Sequence, residues 1–282
     1  MLCRLFLRRH LIPQLDRLIW HQEEPFQTGS IFAQWCVYEK ARQQNIIVML
    51  DGQGADEFLA GYPKDFKPYI KELYHNNKGL QQFILDVKKQ HGYDVKLSSK
   101  EKLSMVGHKL YSYLAAGKRK YLTKPPQGID PEFFSSYASE DIPFLEFNDL
   151  KSALHYEMTN QGLEKLLKFA DRNSMAHGVE VRLPFLYHEL VEFVFTLDSS
   201  LFFKDGWTKA ILRTAMKDIL PDEIVWRKDK IGFEAPHNEW VKNKEIQEIY
   251  EESLRYLKNN KYITNHFDDK WKSIIAYKYL NL

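Results

Sequence analysis

Apolar residues follow two kinds of pattern along the chain. Between Gly29 and Gln44, Ile31, Trp35, Val37 and Tyr38 recur at roughly helical spacing, with Ser30 placed to cap the helix. Ile46-Ile47-Val48-Met49-Leu50 then sets five apolar residues in a row, three of them β-branched. That run reads as a strand buried on both faces, the pattern of a parallel sheet covered by helices. The turn Asp51-Gly52-Gln53-Gly54 follows, and Ala55 to Tyr62 reads as a helical continuation. Helical periodicity then predicts helices over 64–76, 79–92, 98–116, 147–158, 161–171, 187–197, 207–219, 237–257 and 268–280. Lys124-Pro125-Pro126-Gln127-Gly128 is the clearest loop. No further strand of comparable strength stands out. The expected fold class is therefore α/β and mostly helical, with few parallel strands and most of a sheet missing. At the N-terminus, Arg4, Arg8 and Arg9 interrupt MLCRLFLRRHL, so it is expected to open an amphipathic helix rather than act as a targeting segment.

Composition narrows the function classes. The 282 residues are 44% hydrophobic and 28% charged, as in a soluble globular protein. Lys and Arg total 40 against 38 Asp and Glu, a net charge of +2, so a nucleic-acid partner gripped by a broad basic surface is not expected. No apolar run reaches the roughly 20 residues that span a bilayer, so no membrane partner is expected. The two cysteines make no disulfide framework. Cys36, in an apolar stretch, reads as a buried reduced thiol, which fits a cytoplasmic protein. The ten histidines lack zinc-ligand spacing.

Three segments combine residue types that carry chemistry. In Leu50-Asp51-Gly52-Gln53-Gly54-Ala55-Asp56-Glu57, a strand runs into two glycines and a helix start. Gly52 and Gly54 allow a tight turn and close approach of a phosphate, and helix N–H groups favour an anion. Asp56 suits Mg²⁺ shared with phosphate oxygens, because Mg²⁺ takes one or two carboxylates plus phosphate. The structural alternative is a Gly-rich turn whose first-turn carboxylates, Asp56 and Glu57, complement the helix dipole. In the segment 171–186, Glu180 and Arg182 flank Val181 and point the same way if extended, either as a structural ion pair or as part of a site. Arg172 has the chemistry of a phosphate or carboxylate clamp. In Trp226-Arg227-Lys228-Asp229-Lys230-Ile231-Gly232-Phe233, Lys230 is either a cation for a breaking acyl-phosphate bond or part of a solvated basic turn.

Taken in order and spacing, these segments resemble the synthetase domain of asparagine synthase of the glutamine-hydrolysing type. VMLDGQGADEFLAGY is similar to that family's Gly-x-Gly-x-Asp-Glu…Gly-Tyr block. RNSMAHGVEVRLPFL is similar to its Arg-x-x-Met-x-x-Gly-x-Glu-x-Arg-x-Pro-Phe-Leu block. GWTKAILRTAMKDILP and RKDKIGFEAP resemble its Lys-x-x-Leu-Arg helix and Lys-x-x-Phe loop, and Glu24-Pro25-Phe26 fits as well. The motif-bearing core covers about 24–240, with C-terminal helices over 237–282, in one partial domain spanning 1–282. The resemblance implies an adenine-nucleotide α-hydrolase-like (ATP pyrophosphatase) fold and a ligase of asparagine biosynthesis. With ATP and Mg²⁺, such a ligase adenylates a carboxylate, aspartate by resemblance, for attack by ammonia from glutamine. It implies catalytic places for Lys230, Gln53, Glu180 and Arg182. It implies cofactor-binding places for Gly52, Gly54, Asp56, Glu57 and Arg172, with Asp56 as the metal ligand.

The departures set further expectations. The family's Ser-Gly-Gly-x-Asp-Ser pyrophosphate loop is not found in the chain, nor is a glutaminase beginning with a catalytic cysteine. Gln53 stands where many members carry Glu, and Tyr187 where they carry Asp. Three lost charge-assisted hydrogen bonds at about 1.5–3 kcal/mol each remove roughly 5–9 kcal/mol of phosphate binding. The isolated chain is therefore expected to be weak or inactive, and to need a chain supplying the glutaminase and the missing loop. The alternatives are a non-catalytic subunit or assembly module of the same fold, or a related amide-forming ligase that closes β-lactam or lasso-peptide rings.

Overall fold

In a computed structural model, the described residues are 2–76, 79–92, 125–137, 147–160, 162–228, 237–240 and 242–282, with a few isolated positions between. The chain opens with α1 (Leu2–Gln22) and α2 (Ser30–Gln43), followed by β1 (Val48–Leu50), the four-residue α3 (Ala55–Phe58), α4 (Phe66–His75) and α5 (Leu80–His91). After α6 (Pro131–Tyr137), α7 (Leu150–Thr159) and α8 (Leu163–Ala176) come β2 (Glu180–Arg182) and α9 (His188–Thr196). The C-terminal third holds α10 (Ala210–Met216), α11 (Asp222–Val225), α12 (His237–Trp240), α13 (Lys244–Asn259) and α14 (Lys270–Leu280). This is the mostly helical α/β fold that the sequence predicts, and the expected helix over 98–116 lies outside the described residues.

β1 and β2 pair in parallel, with Val48 opposite Glu180, Met49 opposite Val181 and Leu50 opposite Arg182. The strand is shorter than the apolar run and is covered on one face only. Met49 and Val181 pack on Tyr38, Ala41 and Val179, beneath the sheet. Val48 and Leu50 point the other way and are 43% and 73% exposed. The expectation of a strand buried on both faces is thus corrected, because side chains alternate across a strand and helix α2 lies on one side. Ile46 and Ile47 precede the strand and are exposed as well.

Two apolar cores flank this sheet. One joins α1 and α2 to the C-terminal helices through Leu15, Leu18, Phe32, Trp35, Trp240 and Trp271. The other gathers Phe58, Phe66, Tyr69, Phe83, Phe202 and Phe203, with Phe66, Tyr69, Phe83 and Phe203 ring to ring at 4.9–5.8 Å. Local chemistry moves several helix ends. Gly29, not Ser30, occupies the cap of α2, and the Ser30 hydroxyl pairs with that of Thr28 at 2.6 Å. The single helix expected over 237–257 is two, because the Asn243 side chain accepts from Glu245 N–H and starts α13 afresh. The helix expected over 207–219 begins only at Ala210, after Lys209 in the left-handed region. The continuation expected to Tyr62 stops at Phe58, with Ala60 at φ 54°.

Candidate active site

The turn after β1 carries the strongest constraints. Gly54 has φ 96°, and a Cβ there would stand 2.3 Å from Leu186 Cδ2, so the position requires glycine on both counts. Gly61 is required for a different reason: a Cβ would stand 2.0 Å from Asp56 Oδ1 and 2.7 Å from Asp56 Cα. Its N–H also donates to the Asp56 carbonyl at 2.8 Å. The Asp56 carboxylate is therefore set against bare backbone. Gly52, in contrast, has open space around the place of a Cβ.

Asp56 and Glu57 diverge from this turn. Asp56 Oδ1 accepts from Lys209 Nζ at 3.0 Å, the two side chains each 26% exposed. Glu57 is buried and accepts from the Tyr62 hydroxyl at 2.6 Å, which with burial raises the Tyr62 pKa. Neither carboxylate serves simply as a solvated first-turn residue. Nearby, Asp65 is buried and accepts from Tyr62 N–H at 2.9 Å. Burial pushes its pKa up to about 7, against the opposing pull of that N–H and of Lys64.

Asp56 and Lys209 both line a cleft of about 490 Å³. Arg213, Arg227 and Lys228 also line it, and Asp56 is the one carboxylate among the described lining residues. Phe185, Leu212, Met216 and Ile224 supply its apolar wall. Arg213 assembles the basic side. Its Nε donates to the Thr208 carbonyl at 2.9 Å, and its NH1 donates to the carbonyls of Val225 and Arg227. The guanidinium stacks over Trp207 at 4.5 Å, and its pKa is lowered by burial and then by Arg227.

The structure brings some of the sequence-predicted residues together and separates others. Gly54, Asp56 and Glu57 share the turn after β1. Gln53 Nε2 donates to Asp51 Oδ2 at 3.2 Å, while its Oε1 is buried with no hydrogen-bond partner. Glu180 and Arg182 do pair, at 2.8 Å, on the exposed face of β2 with side chains 54% and 63% exposed. Backbone joins β2 to the first motif, since Asp51 N–H donates to the Arg182 carbonyl at 2.9 Å. Arg172 does not reach the cleft lining. Its NH1 pairs with Glu23 at 2.6 Å and donates to the His21 carbonyl at 3.1 Å, so it ties α8 to the end of α1. Lys230 lies outside the described residues. Sequence reasoning misses Lys209 and Arg213 as site residues, although their signal is present in Lys209-x-x-Leu212-Arg213. Among the described residues, no group of three or more His, Cys, Asp or Glu is placed to hold a metal, and no helix is long and apolar enough to cross a membrane.

Comparison with known proteins matches this arrangement to one family. A family profile described as asparagine synthase matches residues 4–272. Asparagine synthetase [glutamine-hydrolyzing] 1 of Bacillus subtilis is 26% identical over 269 residues, 89% of this chain and 40% of that protein. Asparagine synthetase [glutamine-hydrolyzing] 3 of the same organism is 29% identical over 206 residues, 71% of this chain and 28% of its own length. The asparagine synthetase [glutamine-hydrolyzing] of Rattus norvegicus is 31% identical over 136 residues, 44% of this chain and 24% of that protein. The chain thus spans less than half the length of these relatives, and it belongs to the asparagine synthase family.

Proposed function

We infer that the chain is the synthetase part of an ATP-dependent amide-forming ligase. In this reading it activates a carboxylate, with aspartate the first candidate, as an acyl-adenylate that ammonia from glutamine then attacks. The observation that carries this reading is the Asp56–Lys209 pair in a cleft whose other described charges are all cationic. The donor set fits Mg²⁺ held jointly with phosphate, because one carboxylate set against glycine backbone leaves the remaining coordination to phosphate and water. Bound there, the metal would neutralise charge on the phosphate oxygens.

The chain's own residues have separable tasks. Asp56 would hold the metal. Arg227 and Lys228 would attract the triphosphate, and Lys230 would stabilise charge that develops as the α-phosphate is attacked. Glu57, locked by Tyr62, fixes the turn that aims Asp56. Gly52, Gln53, Glu180 and Arg182 lie beside the same strand ends, where substrates of open α/β sheets bind. Arg172 acts in this reading as a brace between helices rather than as a phosphate clamp. A polypeptide supplying the phosphate loop and the glutaminase completes the enzyme, and the exposed apolar side chains of Ile47, Val48 and Leu50 support its docking.

Exchange of labelled pyrophosphate into ATP tests the reading. The chain is mixed with a separately produced synthetase fragment bearing Ser-Gly-Gly-x-Asp-Ser, and aspartate and other carboxylates are supplied in turn. Carboxylate-dependent exchange that is lost in Asp56→Asn supports it. No exchange with any carboxylate, with both pieces present and folded, favours a non-catalytic assembly subunit.

A further inference from the structure

The turn that leads into α10 shapes a second cavity. Asp205 at φ 52° and Gly206 at φ 76° are both left-handed, and Trp207 N–H donates to the Lys204 carbonyl at 2.9 Å, as in a tight type I′ turn. Gly206 seats the turn on α5. A Cβ there would stand 2.4 Å from the Asp86 carbonyl oxygen, and the Gly206 carbonyl accepts from His91 Nε2 at 2.9 Å. Lys204 and Trp207 are thus presented by fixed backbone.

This turn, α10 and Trp226 enclose a cavity of about 260 Å³. Half-buried Trp207 and Trp226 and buried Ala210 supply its apolar part, while Lys204, Asp205 and Lys217 are exposed around it. It shares none of its described lining residues with the Asp56 cleft. Arg213 lines that cleft and stacks over Trp207 at 4.5 Å, which holds the indole from the cleft side.

The lining selects a ligand by shape and charge. Two indoles with centroids 5.5 Å apart and planes at 56° favour a planar aromatic ring, through offset or edge contact. Two ammonium groups against one carboxylate leave one net positive charge, matched to a single carboxylate rather than to a phosphate dianion. Among the described residues, neither Lys204 nor Lys217 forms an ion pair, so both ammonium groups are open to an anion. The volume falls just below the roughly 300–1,000 Å³ of sites for drug-sized ligands, which suits one ring with a short acidic arm and not a nucleoside triphosphate.

We propose that this cavity is a binding site for a small aromatic carboxylate, separate from the Asp56 cleft: the ring lies against Trp207 and Trp226, and the carboxylate takes the ammonium groups of Lys204 and Lys217. The site does not depend on the ligase reading, because none of its residues belongs to the cleft.

Fluorine NMR titration of the purified chain tests this with three probes of similar size: 4-fluorophenylacetate, the uncharged 4-fluorophenylacetamide and the cationic 4-fluorophenethylamine. The acid should saturate with a dissociation constant on the order of 1 mM, as suits so small a ligand. The amide should bind about tenfold more weakly, and the amine more weakly still. Fluoroacetate, which lacks the ring, should not saturate in the same range. Lys204→Met and Lys217→Met should each weaken the acid about tenfold, and both side chains are exposed, so the fold is kept. Lys228→Met, in the Asp56 cleft, should leave the acid within about twofold.

Equal affinity for acid and amide overturns the proposal, because charge would then play no part. Saturation by fluoroacetate as strong as by the ringed acid overturns it from the other side. An affinity that falls in Lys228→Met and not in Lys204→Met or Lys217→Met places the anion in the Asp56 cleft and overturns it as well, as does a lack of saturation with every probe.

Discussion

Gly54→Ala tests whether the turn after β1 is held by backbone geometry or only by habit of sequence. Two costs are legible in the structure. The first is conformational: at φ 96° an alanine occupies a region that costs an L-residue about 1–2 kcal/mol. The second is steric: the new methyl would meet Leu186 Cδ2 at 2.3 Å and Cγ at 2.8 Å. Because Cγ is involved, rotating the end of the leucine does not clear the clash, and overpacking of this kind costs about 1–3 kcal/mol. Leu186 is half-buried and has some room to withdraw, so the lower half of that range applies. The sum is a loss of about 2–4 kcal/mol, read as the change in urea midpoint multiplied by the slope. The cycle with Leu186→Ala separates the terms. In the Leu186→Ala background the steric cost disappears and about 1–2 kcal/mol of backbone cost remains. Gly52→Ala, with open space at the Cβ position, is the internal control and should change stability by under about 0.5 kcal/mol. Equal losses at Gly52 and Gly54, or a Gly54→Ala cost untouched by removing Leu186, would refute the account.

Four further outcomes follow from the same contacts. Tyr62→Phe removes the hydroxyl donor from buried Glu57 and should cost about 1–3 kcal/mol by urea denaturation, while Tyr74→Phe on the surface should cost almost nothing. Asp65 titrates near 7 when folded and from 3.8 as its ordinary value, so the native state holds its proton more tightly. Its contribution to stability is full below about pH 4 and is lost as pH rises through about 7. Urea midpoints measured from pH 4 to 8 should therefore fall more steeply for wild type than for Asp65→Asn. Burial pushes the Cys36 thiol up to about 12, so peptide-resolved alkylation at pH 8 should spare it in buffer and label it in denaturant. Arg213→Lys keeps the charge but not the fork across the Val225 and Arg227 carbonyls, so hydrogen exchange over 222–228 should quicken while that over α2 stays unchanged.

Local pattern carried part of this architecture. An apolar run followed by Gly-x-Gly announces a strand and a turn whatever the rest of the chain does, and Glu180 and Arg182 had to share a face once extended. The same pattern does not tell how many sides of a strand are covered. Ile46 to Leu50 are equally apolar on a strand packed twice and on one packed once, and only the position of α2 beneath Met49 decides. Arg172 illustrates a second blind spot. A guanidinium suits a phosphate and a carboxylate alike, and its partner Glu23 lies far away in sequence. Lys209 illustrates a third. Read along the sequence it sits in a helical stretch, where a lone lysine is an ordinary solvated residue. Its left-handed backbone and its reach to Asp56 arise from tertiary packing.

The cleft also differs chemically from a set of surface ion pairs. Elsewhere on the described surface cations find carboxylates, as Lys64 does with Glu157, Lys168 with Glu24 and Lys278 with Asp16. At the cleft, the basic side is held together by neutral groups. Arg213 is fixed by the carbonyls of Thr208, Val225 and Arg227 and by the face of Trp207, although Arg227 repels it and lowers its pKa. Backbone carbonyls satisfy the guanidinium's donors without cancelling its charge, so the positive potential survives. Like charges confined this way cost stability and are compensated when an anion arrives, the reverse of an ion pair that is complete in the free protein. The Lys209–Asp56 pair lies in the same cleft as these cations, and Arg213, Arg227 and Lys228 give it a positive field that favours an anion.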